Sequence, residues 1–305
     1  MSASTGSTGI FSLAFRFLRT RCESVLILSA FVGSIAAHER AFAQDTTHVH
    51  PVRLAIVSGV TLGTVIPVHI YQRNAWWQGP RAPFGFQNDW QYALNIDKLG
   101  HMYSGYLLAR LFGYSLLWSG FTEQSSTFYG SVLGLSYQLY VEVEDGFHTY
   151  YGFSPGDAFA DMIGATIPLA QQTFPVLKNF SLKYSYFPST TYINDINAGQ
   201  QRAFIDDYQG MTVWLAVDPH FMMSGALANA VPSWLGFAVG LAGRDLNLNG
   251  GGRRVAYLSL DYNLSNIETD SEFLHAVLTA LDFLHFPAPG IMLDRSTVKF
   301  GVFYP

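Results

Sequence analysis

Residues 54–72 (LAIVSGVTLGTVIPVHIYQ) contain no Asp, Glu, Lys or Arg. A charge-free stretch of this length can cross a bilayer as a helix, and Arg53 and Arg73 close it at either end. Trp76 and Trp77 follow, where a spanning helix often places interfacial aromatics. Pro67 predicts a kink. The rest of the chain is almost as poor in charge. Of 305 residues, 17 are Lys or Arg and 22 are Asp or Glu, or 13%, where an ordinary soluble domain has about 25%. Hydrophobic residues at 49% and aromatics at 15% exclude intrinsic disorder over most of the length. A net charge of -5 without a basic run excludes nucleic acid as a partner. The single cysteine, Cys22, excludes a disulfide framework. The chain is therefore expected to be membrane-embedded or closely membrane-associated, with membrane lipid as its first partner.

Residues 1–43 read as a secretory signal. Arg16, Arg19 and Arg21 precede an apolar run from Ser24 to Ala37, and Ala41-Phe42-Ala43 offers a signal-peptidase site before Gln44. The alternative is an uncleaved N-terminal anchor, and His38, Glu39 and Arg40 beside the site keep it open. Cys22 precedes the apolar run, whereas a lipoprotein needs its cysteine at the cleavage point.

Beyond the first charge-free stretch, 97–120 and 124–141 read as second and third helices. The third is rich in Gly, Ser and Tyr, which favours close helix packing. Ser154-Pro155 before Asp157 is an N-cap with proline at the first helical position, and opens a fourth helix to about Ala170. After Ser181 the pattern changes. Short aromatic and β-branched runs at 210–217, 234–241, 254–262 and 298–304 read as strands, and 271–283 has helical spacing. The expected fold is mainly α: a membrane-associated bundle of about four helices over 44–185, with a mixed α+β part over 186–305.

The bundle's charges cluster. Asp97 and Lys98 open the second helix, with His101 one turn on; Glu142, Glu144 and Asp145 end the third; Asp157 and Asp161 open the fourth. Antiparallel packing through short loops would bring Asp97, His101, Glu142, Asp145 and Asp157 to one end, with Lys98, Ser154 and Asp161 beside them and Glu144 turned away. Asp97 and Asp157 also complement a helix dipole without any further role. Ionisable groups in an apolar bundle are nonetheless costly unless paired or wet. His with carboxylates is a possible metal set, but there is no HExxH and no pair of His at ligand spacing, so neither metal nor cofactor is expected.

The strings DKLGHMYSGY (97–106), VEVEDGF (141–147) and YGFSPGDAFADMIGA (151–165) resemble a family of predicted periplasmic lipoproteins of unknown function that includes the YfiM proteins. Asp97, Lys98, Gly100, His101, Tyr103 and Tyr106 match its first element. Glu142, Asp145 and Gly146 match the second. Gly152, Phe153, Ser154, Asp157, Ala160 and Gly164 match the third. The likeness extends upstream over Trp77 and residues 86–90 and downstream over Lys183-Tyr184-Ser185 and Asp206-Asp207-Tyr208, and so over most of the chain after residue 43. Asp161 stands where the family has Asn, and an ionised Asp cannot donate a hydrogen bond. The order of motifs is also loosely similar to VanZ-like membrane proteins. The resemblance implies an exported protein of the cell envelope and names no reaction.

Two functions follow as expectations. In the first, the protein has a binding or scaffold role in the envelope, contacting lipid or other envelope proteins. In the second, it is an enzyme acting on a lipid-linked or glycolipid headgroup, with His101, Asp157 and Glu142 as acid–base candidates. The secretory reading is tested directly: N-terminal sequencing of exported protein should begin at Gln44, and a retained 1–43 segment would overturn it.

Overall fold

A computed structural model describes residues 48–200, 203–247, 250–295 and 297–304. The secretory segment expected over 1–43, and its cleavage at Gln44, lie outside the described residues. Helix α1 spans Pro51–Ala75, with Pro67 inside it, and leaves Val52, Ile56, Leu62, Ile66 and Ile70 exposed. Among the described residues it alone is long and apolar enough to cross a membrane. One helix that passes by length and composition does not establish the expected membrane bundle of four, and α2, α3 and α4 do not pass.

Helices α2 (Ile96–Trp118), α3 (Glu123–Gly146) and α4 (Pro155–Thr173) form an antiparallel trio, with α2 packed against both others. Local chemistry sets their starts. The Thr122 hydroxyl accepts the Ser125 amide at 3.2 Å, and the Ser154 hydroxyl accepts the Asp157 amide at 3.1 Å. Small residues set their spacing. A Cβ on Gly134 would lie 2.7 Å from the Ala109 nitrogen, and one on Gly164 would run into the Met102 carbonyl. Before α2, Ala93, Leu94 and Asn95 have φ of 47°, 56° and 67°. Left-handed backbone costs a non-glycine residue about 1–2 kcal/mol, so three in a row require support. Asn95 bonds the Trp90 carbonyl, and Arg254 bonds both the Leu94 carbonyl and the Asn95 side chain.

The second half is an antiparallel meander in the order β1 (Phe180–Tyr186), β2 (Met211–Val217), β3 (Leu235–Arg244), β4 (Arg253–Tyr262), β5 (Ala288–Asp294), β6 (Thr297–Tyr304). Three short helices sit in its connections: α5 (Thr190–Asn197), α6 (Gly225–Ala230) and α7 (Glu272–Leu281). The class is thus α+β rather than mainly α. The strands read at 210–217, 234–241, 254–262 and 298–304 are present within a few residues at each end. β1 and β5 were not expected, because Lys183 with its serines and Pro289-Gly290 interrupt the apolar pattern.

The sheet is rolled. Lys183 on β1 reaches Asp261 on β4 at 2.8 Å across its inside, and the outer edge of β1 is bridged by Phe283–His285, which lead into β5. The row Lys183, Trp214, Gly240, Tyr257, Met292 and Lys299 crosses all six strands; it is buried from Lys183 to Tyr257, with the Trp214 ring against Gly240 and stacked 3.7 Å from His285, and opens to an exposed Lys299 on β6. The adjacent row faces outward: Leu182, Leu215, Val239, Leu258, Ile291 and Phe300. The β1–β2 end of that face packs on α2, where Tyr103 and Tyr106 meet Leu182, Val213 and Phe283. The Tyr103 hydroxyl donates to the Phe283 carbonyl at 2.9 Å.

The close approach of α2 and α4 predicts that Gly164→Leu destabilises the chain by at least the 1–3 kcal/mol typical of overpacking. Chemical denaturation in detergent checks this, with Gly63→Leu on α1, where nothing lies within 4 Å of a Cβ, as the control with little effect.

Candidate functional site

The Lys98 ammonium lies 2.8 Å from each of three carboxylates, Asp97 beside it, Asp157 at the head of α4, and Asp89 from the loop before α2. Its side chain is 8% exposed, and those of Asp97 and Asp157 are 4% and 6% exposed. One cation thus ties together two helix starts and a loop. Ser154 tightens the same junction. Its hydroxyl donates to Asp89 at 2.6 Å, and its amide donates to Glu142 Oε2 on α3 at 3.0 Å. The cap that starts α4 is therefore also a link between α3 and the loop.

His101 occupies the neighbouring turn of α2. Its Nδ1 lies 3.1 Å from Asp161, and the ring nitrogens lie 3.8 Å from Asp97, Glu142 and Asp157. Asp161 is fully buried and also accepts from Gln138 of α3 at 2.7 Å. As a double acceptor it serves this arrangement without the amide donor of the family's Asn. His101 is the most open of these side chains, at 24% exposed.

Five carboxylates (Asp89, Asp97, Glu142, Asp157, Asp161) thus surround two cationic side chains. Burial opposes a charged His101, but the hydrogen bond and charge of Asp161, with Asp97 and Asp157, outweigh it and raise the imidazole to about 10. Burial pushes Glu142 up to about 8 against the pull of His101, with Asp157 adding to the rise. Burial likewise lifts Asp157 to about 7, opposed by His101 and reinforced by Asp97. Burial also acts to raise Asp89, yet hydrogen bonds from Lys98 and Ser154 hold it below its ordinary value.

Asp145 stands to one side. Its carboxylate accepts the Trp77 indole N–H at 2.6 Å, and Trp77 is 4% exposed and stacked on His148. The Trp76 indole donates to Asp206 at 3.0 Å. These two tryptophans are hydrogen-bonded joints between α1 and the rest of the protein rather than a free interfacial belt. Glu144 points elsewhere, to Arg81 at 3.1 Å. Asp89 and Gln138 belong to the network and were not singled out from sequence. Asp89 had a signal, a carboxylate just ahead of the Asp97-Lys98 pair; Gln138 sits in a charge-free stretch and had none.

Beside the network an open cleft of about 1030 Å³ is lined by Phe86, Gln87, Asn88, Asp89, Trp90, Gln91, Pro155, Gly156 and Phe159. Asp89 is shared between the cleft and the Lys98 junction. Two triads bring ligand atoms close enough to share a cation, Asp97–His101–Asp157 and His101–Glu142–Asp161. Both depend on His101, and in the first the Lys98 ammonium already lies 2.8 Å from Asp97 and Asp157.

The network and cleft fall within one stretch of sequence. Residues 84–173 match the family described as "Predicted periplasmic lipoprotein (DUF2279)". The DUF2279 match takes in the cleft loop and α2 to α4, hence every residue of the network; it stops before the sheet and does not reach Trp77, Lys183–Ser185 or Asp206–Tyr208, over which the wider likeness is expected. Its description fits export and association with the membranes of the cell envelope. The VanZ-like similarity has no support beyond the order of the motifs. No curated protein and no solved structure matches the chain.

The electrostatics predict how stability depends on pH. Glu142 rises from 4.5 to about 8 and His101 from 6.5 to about 10 on folding, so the folded chain holds more protons than the unfolded one between those limits. Stability therefore falls as pH rises. The burial cost of ionised Glu142 sets in above pH 4.5 and is complete near 8; the His101 contribution is full below 6.5 and lost through about 10. Chemical denaturation at pH 5, 7 and 9 should show this decline, with Glu142→Gln flattening the lower part and His101→Gln the upper.

Proposed function

We propose that this is a non-catalytic envelope protein, held at a membrane by α1, that binds a polar headgroup carrying sugar in the Asp89–Trp90 cleft. The observation that carries the reading is the closure of the network on itself. Lys98 meets three carboxylates, Asp161 meets His101 and Gln138, and Glu142 is engaged by the start of α4. Such a network clamps helices and fixes a loop; it does not present a free nucleophile or base. The loop it fixes lines the cleft. There Phe86, Trp90 and Phe159 expose aromatic faces beside Gln87, Asn88 and Gln91. Aromatic faces suit the apolar side of a sugar ring, and amides with a carboxylate suit its hydroxyls. The volume is that of a small-molecule site. A lipid-linked or glycolipid headgroup joins this chemistry to a membrane location. Other envelope proteins are the alternative partners of the same clamp.

One observation favours an enzyme instead. His101 is partly open and sits among Glu142 and Asp157, whose carboxyls are raised toward neutrality, as acid–base chemistry requires. Complementation of a deletion strain, read by lipid and cell-wall profiling, separates the two. Binding predicts that His101→Gln restores the profile while Trp90→Ala and Phe159→Ala do not, all at normal protein levels. The opposite pattern establishes the acid–base reading and ends the binding one.

A further inference from the structure

The rolled sheet carries an uncharged apolar face on its outside, and we infer that the outward face of β3–β6 lies in the hydrocarbon of a bilayer. This is separate from the α1 anchor and from the cleft, and does not rest on either.

In a water-soluble sheet that buries one face, the apolar side chains point inward and the polar ones outward. Here the outward face is apolar as well, while the inside mixes an apolar cluster of Trp214, Ala216, Ala238, Ala242, Val255 and Tyr257 with buried charge. The inside holds Lys183, Asp261 and His285, all fully buried and joined at 2.8 Å, and the Ser185 hydroxyl accepts the Trp214 indole N–H at 2.8 Å. The outward row through Val239 and Leu258 has no polar side chain on any strand. The next outward row runs Tyr184, Val213, Leu241, Ala256, Leu293 and Val298, with one phenol and no charge. Among the described residues, α2 covers the β1–β2 end of this face. Beyond it Val239, Leu241, Leu258, Leu260, Leu293 and Phe300 are 40–80% exposed.

The bounds of the face point to lipid rather than to a protein. At one end Trp234 and Tyr262 form an aromatic pair with centroids 6.3 Å apart; at the other Arg254, opposite Gly243, is the first exposed charge. Between Leu235 and Gly243 the outward side of β3 runs for about 26 Å at about 3.3 Å per residue. At the strand tilt of about 35–45° in membrane barrels this length spans roughly 20 Å, a large part of the apolar band of about 25 Å, edged by aromatics, found there. Protein interfaces keep a substantial polar share even at their cores, and these rows have almost none. The β1 edge is bridged at Tyr184 by Phe283–His285; β6 pairs only with β5 among the described residues, so its free edge must sit at the rim of the bilayer, where headgroups and water satisfy it.

The test places a nitroxide on the face in the full chain. In a Cys22→Ser background, Val239→Cys, Leu241→Cys and Leu258→Cys are spin-labelled, and the protein is reconstituted in phosphatidylethanolamine/phosphatidylglycerol vesicles. Power saturation with oxygen and with a water-soluble nickel chelate then reports the surroundings. The inference expects the three labels to collide with oxygen far more than with the chelate, by several-fold, while a label at Arg254→Cys shows the reverse. Chelate access at the three positions would place the face in water and overturn it. Poor access to both reagents would mean that protein covers the face, a second copy or another partner, and would overturn it equally. Detergent-solubilised protein retaining the same circular dichroism as the parent confirms that each variant is folded.

Discussion

A single ammonium group, that of Lys98, fixes the geometry on which the helical half depends. Its three carboxylates come from a loop, from the helix that carries the lysine and from the following helix pair. A buried ion pair repays its desolvation only if geometry and hydrogen bonding are nearly complete. Here they are completed by Ser154, which caps α4 while bonding Asp89 and Glu142. The result is specificity of arrangement more than raw stability: α2, α3, α4 and the cleft loop can meet in one way without stranding a charge.

The carboxylates outnumber the cations around this centre, and the surplus is relieved by protons. Burial raises Glu142 and Asp157, while the surrounding negative charge keeps His101 protonated well above its ordinary range. The site is therefore neutralised by its own titratable groups and by Lys98. That condition suits a clamp, and it leaves His101 the most open ionisable group of the network, the easiest route for proton exchange with solvent.

Much of the helical half was legible because charge is so sparse. Asp97, Lys98, His101, Glu142, Asp157 and Asp161 stand out against apolar surroundings, and helical spacing with short loops is enough to place them near one another. Asp89 was harder to read because its role comes from the chain folding back onto Lys98, which periodicity does not encode. Trp76 and Trp77 misled for the opposite reason: their position after an apolar stretch fitted an interfacial belt, yet both indoles are engaged by carboxylates distant in sequence. In the sheet, strands with alternating apolar residues were visible, whereas β1 and β5 were hidden by the polar and small residues that face the interior. The rolling of the sheet depends on contacts such as Lys183 with Asp282, 99 residues apart, and no local pattern reports them.

The seam formed by Phe283–His285 has a consequence for the order of events during export. Tyr103 near the start of α2 and Tyr184 on β1 both wait for this segment, the former across 180 residues of intervening chain. A polypeptide threading N-terminus first through a membrane pore delivers α2 long before the residues that finish its packing. The helical trio must then persist on the far side with its sheet-facing tyrosines uncovered until the last strands emerge. Non-local closure of this kind is slow, so the tyrosine face of the half-delivered trio is the surface that stays uncovered longest.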